Sequence, residues 1–108
     1  MSQINFEDFK KLDIKIAKIL EAEEIKDSNK LVKLQIDLGD EQRQLVAGIS
    51  KDYTSEELIE KNIVVITNLK PREIMGVESQ GMLLAASDED GVSLLSPDRD
   101  IISGSQVS

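Results

Sequence analysis

Asn62 to Ala86 reads N-I-V-V-I-T-N-L-K-P-R-E-I-M-G-V-E-S-Q-G-M-L-L-A-A, and it sets the plan of the chain. Ile63–Thr67 is the most strand-like run in the sequence, and Met82–Ala86 is a second apolar run. A short turn would suffice between two such strands. Instead Asn68–Met82 is long, with a Lys-Pro-Arg step, two glycines and the polar pair Ser79-Gln80. Long ordered connections in small domains tend to carry function. Pro71 has no amide hydrogen to donate, so strand pairing should stop there. Gly76 and Gly81 permit a positive φ or close approach of another backbone. Lys70 and Arg72 bring two cations together.

Working outward, the segments on either side alternate apolar with polar residues. Leu12–Leu20 reads as a half-buried strand with Leu12, Ile14, Ile16 and Ile19 inward, and the alternation slips near Ala17-Lys18, where a bulge or bend is expected. Glu21–Lys26 continues it, and Asp27-Ser28-Asn29 marks a turn. Leu31–Leu38 alternates again, Gly39-Asp40 is a second turn, and Arg43–Ile49 gives a third strand. Thr54 with Glu57 three residues on is a capping-box pattern, so a helix is expected over Thr54–Glu60, anchored by Leu58 and Ile59. Asn62–Leu69 is the fourth strand. Met82–Ala86 and Val92–Leu95 form a hairpin around Asp88–Gly91, and Pro97–Ser108 is a tail. Ahead of the first strand, Phe6 and Phe9 have helical spacing with Asn5 as cap, and are expected to plug the open end of a barrel.

Three meander strands, a helix, then further strands is the plan of the OB-fold. The expectation is an all-β chain: a five-stranded Greek-key barrel with a short helix between strands three and four, an N-terminal helix and a C-terminal extension. At 108 residues it is read as one domain, 1–108.

Composition removes several classes of function. The chain has neither Cys nor His, which excludes disulfides, thiolate metal sites and histidine-based catalysis. No cofactor and no metal are expected. No run approaches the roughly 20 apolar residues of a membrane span, and no basic-then-apolar leader opens the chain, so a reduced, cytoplasmic setting is expected with no membrane partner. Phe6, Phe9 and Tyr53 are the only aromatics, too few for a ladder of stacked bases. The net charge of -8 opposes nucleic-acid binding as a whole-chain sum. Its distribution is uneven: the acids concentrate in Glu21–Glu24, Asp52–Glu60 and Asp88–Asp100, whereas Lys30, Lys33, Arg43, Lys51, Lys70 and Arg72 fall largely between those runs. That leaves room for a basic face on an acidic body. Paired-carboxylate hydrolysis has no supporting constellation, and Asp88–Gly91 is far short of a calcium loop.

Five ordered blocks make the sequence recognisable. Asp8–Ile19 is similar to the opening of the tRNA-binding domain family, found at the C-terminus of methionyl-tRNA synthetases and in small free-standing proteins. Asp27–Leu31 is similar to its D-S-N-K-L-type turn, and Arg43–Ile49 to its third-strand block. Asn68–Arg72 and Gly76–Ala86 resemble its signature almost letter for letter. The resemblance spans Phe6 to about Val107. It implies an OB-fold that grips folded tRNA by shape, performs no chemistry, often forms a homodimer and assists a methionyl-tRNA synthetase chain. It also extends to chaperone-like, protein-binding relatives, which supply the competing reading of an export factor or synthetase scaffold. A dimer is expected to use Ile101 and Ile102 with the Gly76–Gly81 region.

Carried over by position, the tRNA-binding candidates are Lys30, Asn68, Lys70, Arg72, Ser79 and Met82. Lys30 and Lys70 would neutralise phosphates. Arg72 would fork onto a phosphate or stack on a base. Asn68 and Ser79 would bond sugar hydroxyls or phosphate oxygens, and Met82 would offer an adaptable apolar contact. Each has an ordinary alternative. Asn68 ends a strand, Lys30 and Lys70 are simply exposed, Arg72 pairs with Glu73 or Glu78, Ser79 caps the turn, and Met82 is core. The chain also departs from many relatives at Ile25-Lys26, Ala47, Glu73 and Met75, which lowers local positive charge and hydrogen bonding.

Overall fold

The computed structural model describes residues 2–108. After the single-turn helix α1 (Phe6–Phe9) come strands β1 (Ile14–Glu24), β2 (Val32–Asp37) and β3 (Gln42–Ala47). Helix α2 (Ser55–Leu58) and strand β4 (Asn62–Ile66) follow. Then come β5 (Arg72–Ile74), β6 (Val77–Ser79), β7 (Met82–Leu83), β8 (Ala85–Asp88), β9 (Gly91–Leu94) and β10 (Gln106–Val107). The main sheet runs β3-β2-β1-β4-β7, all neighbours antiparallel. It curls so that β3 lies against β6 and β7. The chain is therefore an all-β barrel of the expected OB type, with the helix between β3 and β4.

The long strand β1 makes this curl. Residues Ile14–Lys18 pair with β4, and Lys18–Glu24 pair with β2, so the strand changes partner at Lys18. Ile16 and Ala17 are buried in succession, the point where the alternation slips. The ladder irregularity itself falls slightly later, between Ile19 and Glu21 against β2. A bulge adds twist and bend to a strand, which turns an open sheet toward closure. Ile19, Leu34, Ile36, Leu45, Leu58, Ile63 and Val65 fill the interior.

Helix α2 sits where the capping box places it. Glu57 N–H donates to Thr54 Oγ1 at 3.2 Å, and Thr54 N–H to Glu57 Oε1 at 2.9 Å. Leu58 is fully buried; a Leu→Ala change there would cost about 2–5 kcal/mol. Ile59 does not share the anchoring role expected of it. The chain leaves the helix at Ile59 in an extended conformation, which turns that side chain outward. Glu60 N–H then bonds Ile19 O, and Ile19 N–H bonds Lys61 O, which pins the exit to β1.

Two other expectations are corrected. Phe6 is 69% exposed and stacks on Phe9 with ring centroids 6.3 Å apart, so the phenylalanines do not plug the barrel. Leu12 is exposed as well, since β1 begins only at Ile14. The tail contributes a short strand. Its β10 pairs with Ile14 and Lys15 on the edge of β1 that β2 leaves open, and Ile16 and Gly104–Ser105 add two further backbone bonds.

Candidate nucleic-acid interface

The Asn68–Met82 connection contains a β-hairpin that the sequence pattern did not disclose. Strands β5 and β6 pair Arg72 with Ser79, Glu73 with Glu78, and Ile74 with Val77. The turn is the dipeptide Met75-Gly76, with φ of 51° and 80°. Positive φ at both central residues is the type I′ geometry, whose twist matches paired strands. Gly76 enters that region freely, whereas Met75 bears a steric cost there. Met75 is 56% exposed at the tip.

Alternation along this ribbon sorts its side chains. Arg72, Ile74 and Ser79 share one face, and together with Val46, Leu69, Lys70, Gly81 and Met82 they line a pocket of about 150 Å³. Glu73 and Glu78 fall on the opposite face of the ribbon, directly across from each other. The ion pairs of the described residues use Lys10, Lys11, Lys15, Lys33 and Arg43, and neither Lys70 nor Arg72. The alternative in which Arg72 pairs with Glu73 or Glu78 is therefore not what the fold adopts. Leu69 and Met82 are partly exposed apolar walls, so the pocket has an apolar lining and a cationic rim. Gly81 lets the chain pass under it. A Cβ there would stand 3.0 Å from Ile66 O and 3.1 Å from Leu45 Cδ2, at a φ of +153°.

Strand β3 holds the ribbon in place through side chains rather than a regular ladder. Gln80 N–H donates to Gln44 O at 2.8 Å, and Gln44 N–H donates to Gln80 Oε1 at 3.0 Å. The Gln44 carboxamide donates to Glu78 O at 2.8 Å. Val46 N–H donates to Ser79 Oγ, which in turn donates to Gly81 O, each at 3.0 Å. Arg43 reaches Thr67 O and Gln80 O. Its guanidinium and hydrogen bond hold the Glu41 carboxyl below the usual glutamate range.

The six sequence candidates separate into groups. Lys70, Arg72 and Met82 border the pocket with free outer ends. Ser79 belongs to the same pocket, but it is 5% exposed and its hydroxyl is occupied within the fold. Asn68 turns away from the pocket: its Oδ1 accepts Asp13 N–H and its Nδ2 donates to Lys11 O. Lys30 is not among the pocket residues. It lies in the β1–β2 turn, with its N–H on Ser28 Oγ and its carbonyl on Ser50 N–H. Val46, Leu69 and Ile74 complete the pocket, and Arg43 and Gln44 frame it. Of these, the alternation of β3 turns only Gln44 and Val46 away from the core.

Among the described residues, no group of three or more Asp or Glu side chains is placed to hold a metal ion. Nor is any described helix long and apolar enough to cross a membrane. Phosphates at the rim, with a ribose or base edge against Leu69 and Met82, match the lining chemistry.

Comparison with known proteins identifies the family of the chain. The family model described as "Putative tRNA binding domain" matches residues 14–106. A methionine–tRNA ligase of Methanococcus aeolicus is 57% identical over 107 residues, covering 99% of this chain and 16% of the ligase. One from Thermotoga maritima is 55% identical over 105 residues, covering 97% of this chain and 17% of the ligase. The chain thus spans about one sixth of the length of these relatives. The crystal structure of a MetRS-related protein from Pyrococcus horikoshii superposes with a TM-score of 0.94 at 39% identity, covering the whole of both chains. That of the chaperone CsaA from Bacillus anthracis superposes with a TM-score of 0.90 at 33% identity, covering 99% of this chain and all of the chaperone. The chain belongs to the tRNA-binding domain family.

Proposed function

We propose that this chain binds folded tRNA without chemistry of its own, and so raises the tRNA affinity of a methionyl-tRNA synthetase to which it is joined or docked. The observation that carries this reading is the pair Lys70 and Arg72. Among the described residues neither forms an ion pair with a carboxylate, and they stand beside Leu69 and Met82 where the ribbon anchored to β3 begins. Lys70 and Arg72 meet phosphates, and Met82 packs against a sugar or base edge. Ser79 and Asn68 serve by holding the segment in shape, since their polar groups are already bonded. Lys30 adds a more distant phosphate contact. Such work belongs in the cytoplasm with the translation machinery.

A gel-shift comparison tests this. Folded tRNA should bind more tightly than unstructured RNA of equal length, and the Lys70→Ala, Arg72→Ala double variant should lose most of that binding. Equal affinity for the two RNAs would count against shape recognition.

We further propose a homodimer. Ile4, Phe6, Leu12 and Ile102 are exposed apolar residues of the two terminal segments, which flank the start of β1, and a second copy would cover them. A monomer mass by light scattering at micromolar concentration would refute it. The protein-binding alternative is favoured by the full-length likeness to CsaA. Partners retained in a pull-down after nuclease treatment would support it, and their loss would favour the tRNA reading.

A further inference from the structure

We propose that Arg43 is a positioning residue for nucleic-acid binding: it clamps both feet of the segment that presents Lys70 and Arg72, without touching the ligand itself. This rests on the tRNA reading above.

By sequence Arg43 is one more cation between acidic runs. In the fold its charge is committed. Nη1 donates to Thr67 O, the carbonyl just before the connection begins, and to Gln80 O at 3.3 Å, where the connection ends. These two acceptors lie 13 residues apart in sequence and come together on one guanidinium nitrogen. Thr67 lies just past the end of β4, so its carbonyl is beyond the reach of the ladder. Nε donates to Glu41 Oε1, which fixes the plane of the guanidinium. The Arg43 side chain is only 26% exposed. With both feet held, the hairpin can present Arg72 at a constant angle beside Lys70.

Arginine is suited to this work because its planar fork offers several donors in fixed directions. A lysine keeps the positive charge but has its three donors on one freely rotating nitrogen, with no second nitrogen held by Glu41 to fix its direction toward the two carbonyls. Glu41 gives a second handle with an opposite electrostatic expectation. Removing an exposed carboxylate should strengthen RNA binding if net charge alone mattered. If Glu41 acts by orienting Arg43, removing it should weaken binding.

The test is a double-mutant cycle on tRNA affinity with Arg43→Lys, Glu41→Gln and the Lys70→Ala, Arg72→Ala pair, each protein first checked for folding by thermal unfolding. Arg43→Lys is expected to weaken binding about tenfold in the wild-type background and to change it less than about twofold once Lys70 and Arg72 are gone. Glu41→Gln is expected to weaken binding about two- to threefold, with the native fold retained. An Arg43→Lys loss of equal size in both backgrounds would overturn the proposal, because Arg43 would then act independently of the segment it clamps. Tighter or unchanged binding by Glu41→Gln would overturn it too. If Lys70→Ala, Arg72→Ala binds as the wild type does, the tRNA reading of this rim fails together with the proposal. If that pair weakens binding while Arg43→Lys does not, the proposal alone fails.

Discussion

The side-chain oxygen of Asn68 accepts the backbone N–H of Asp13 at 2.9 Å, across 55 residues of sequence. The same carboxamide donates to Lys11 O. One residue just beyond the end of β4 therefore fixes the approach to β1. Asn68→Ala should lower stability by about 1–2 kcal/mol, as expected for two net hydrogen bonds at a partly solvated site. Asn68→Asp keeps the acceptor but sets a carboxylate oxygen against Lys11 O, so it should cost at least as much. Urea unfolding of the three proteins checks this order.

Asp13 gives the fold an acid sensitivity. Thr67 Oγ1 donates to Asp13 Oδ2 at 2.6 Å, and this bond holds the carboxyl below its ordinary value, with Gln106, Lys15 and Arg43 helping and partial burial opposing. A carboxyl with a depressed folded pKa takes up protons more readily when unfolded. The unfolded state therefore gains protons first as pH falls, and stability is lost. The contribution is complete above the ordinary aspartate value, near pH 4, and disappears as pH drops through the lower folded value. Melting temperatures of wild type and Asp13→Asn should differ most near neutrality and converge below about pH 4. A constant gap down to pH 2.5 would show that this carboxyl is not linked to folding.

The hairpin tip stores strain at a non-glycine residue. Met75 occupies the first central position of a type I′ turn at φ 51°, a place that favours Asn. Met75→Asn should stabilise the chain by about 0.5–1 kcal/mol. Gly76→Ala, at φ 80° with open space around it, should destabilise by about 1 kcal/mol through backbone strain alone. Thermal unfolding distinguishes the two signs.

Particular residues show what was legible in the sequence and what was not. Val32, Leu34 and Ile36 alternate with Lys33, Gln35 and Asp37, and β2 follows them directly. Thr54 and Glu57 announced a local contact and made it. Lys70, Arg72 and Met82 lie close in sequence, so a hairpin between them suffices to gather them around one pocket. Other features depend on distant partners. The exposure of Phe6 depends on whether the barrel end needs covering, which a four-residue helix does not state. The strand Gln106–Val107 is too short for periodicity and exists because β1 has a free edge. Arg43 bonds carbonyls 24 and 37 residues away, and nothing in its own neighbourhood distinguishes it from a surface cation.

The most direct measurement is tRNA affinity across a range of salt concentrations for the wild type, Lys70→Ala and Arg72→Ala. If both cations meet phosphates, the slope of log affinity against log salt should shrink by about one for each substitution. Affinity at low salt should fall with it. Slopes and affinities identical to wild type in both variants would place the nucleic acid elsewhere on the molecule, or nowhere on it.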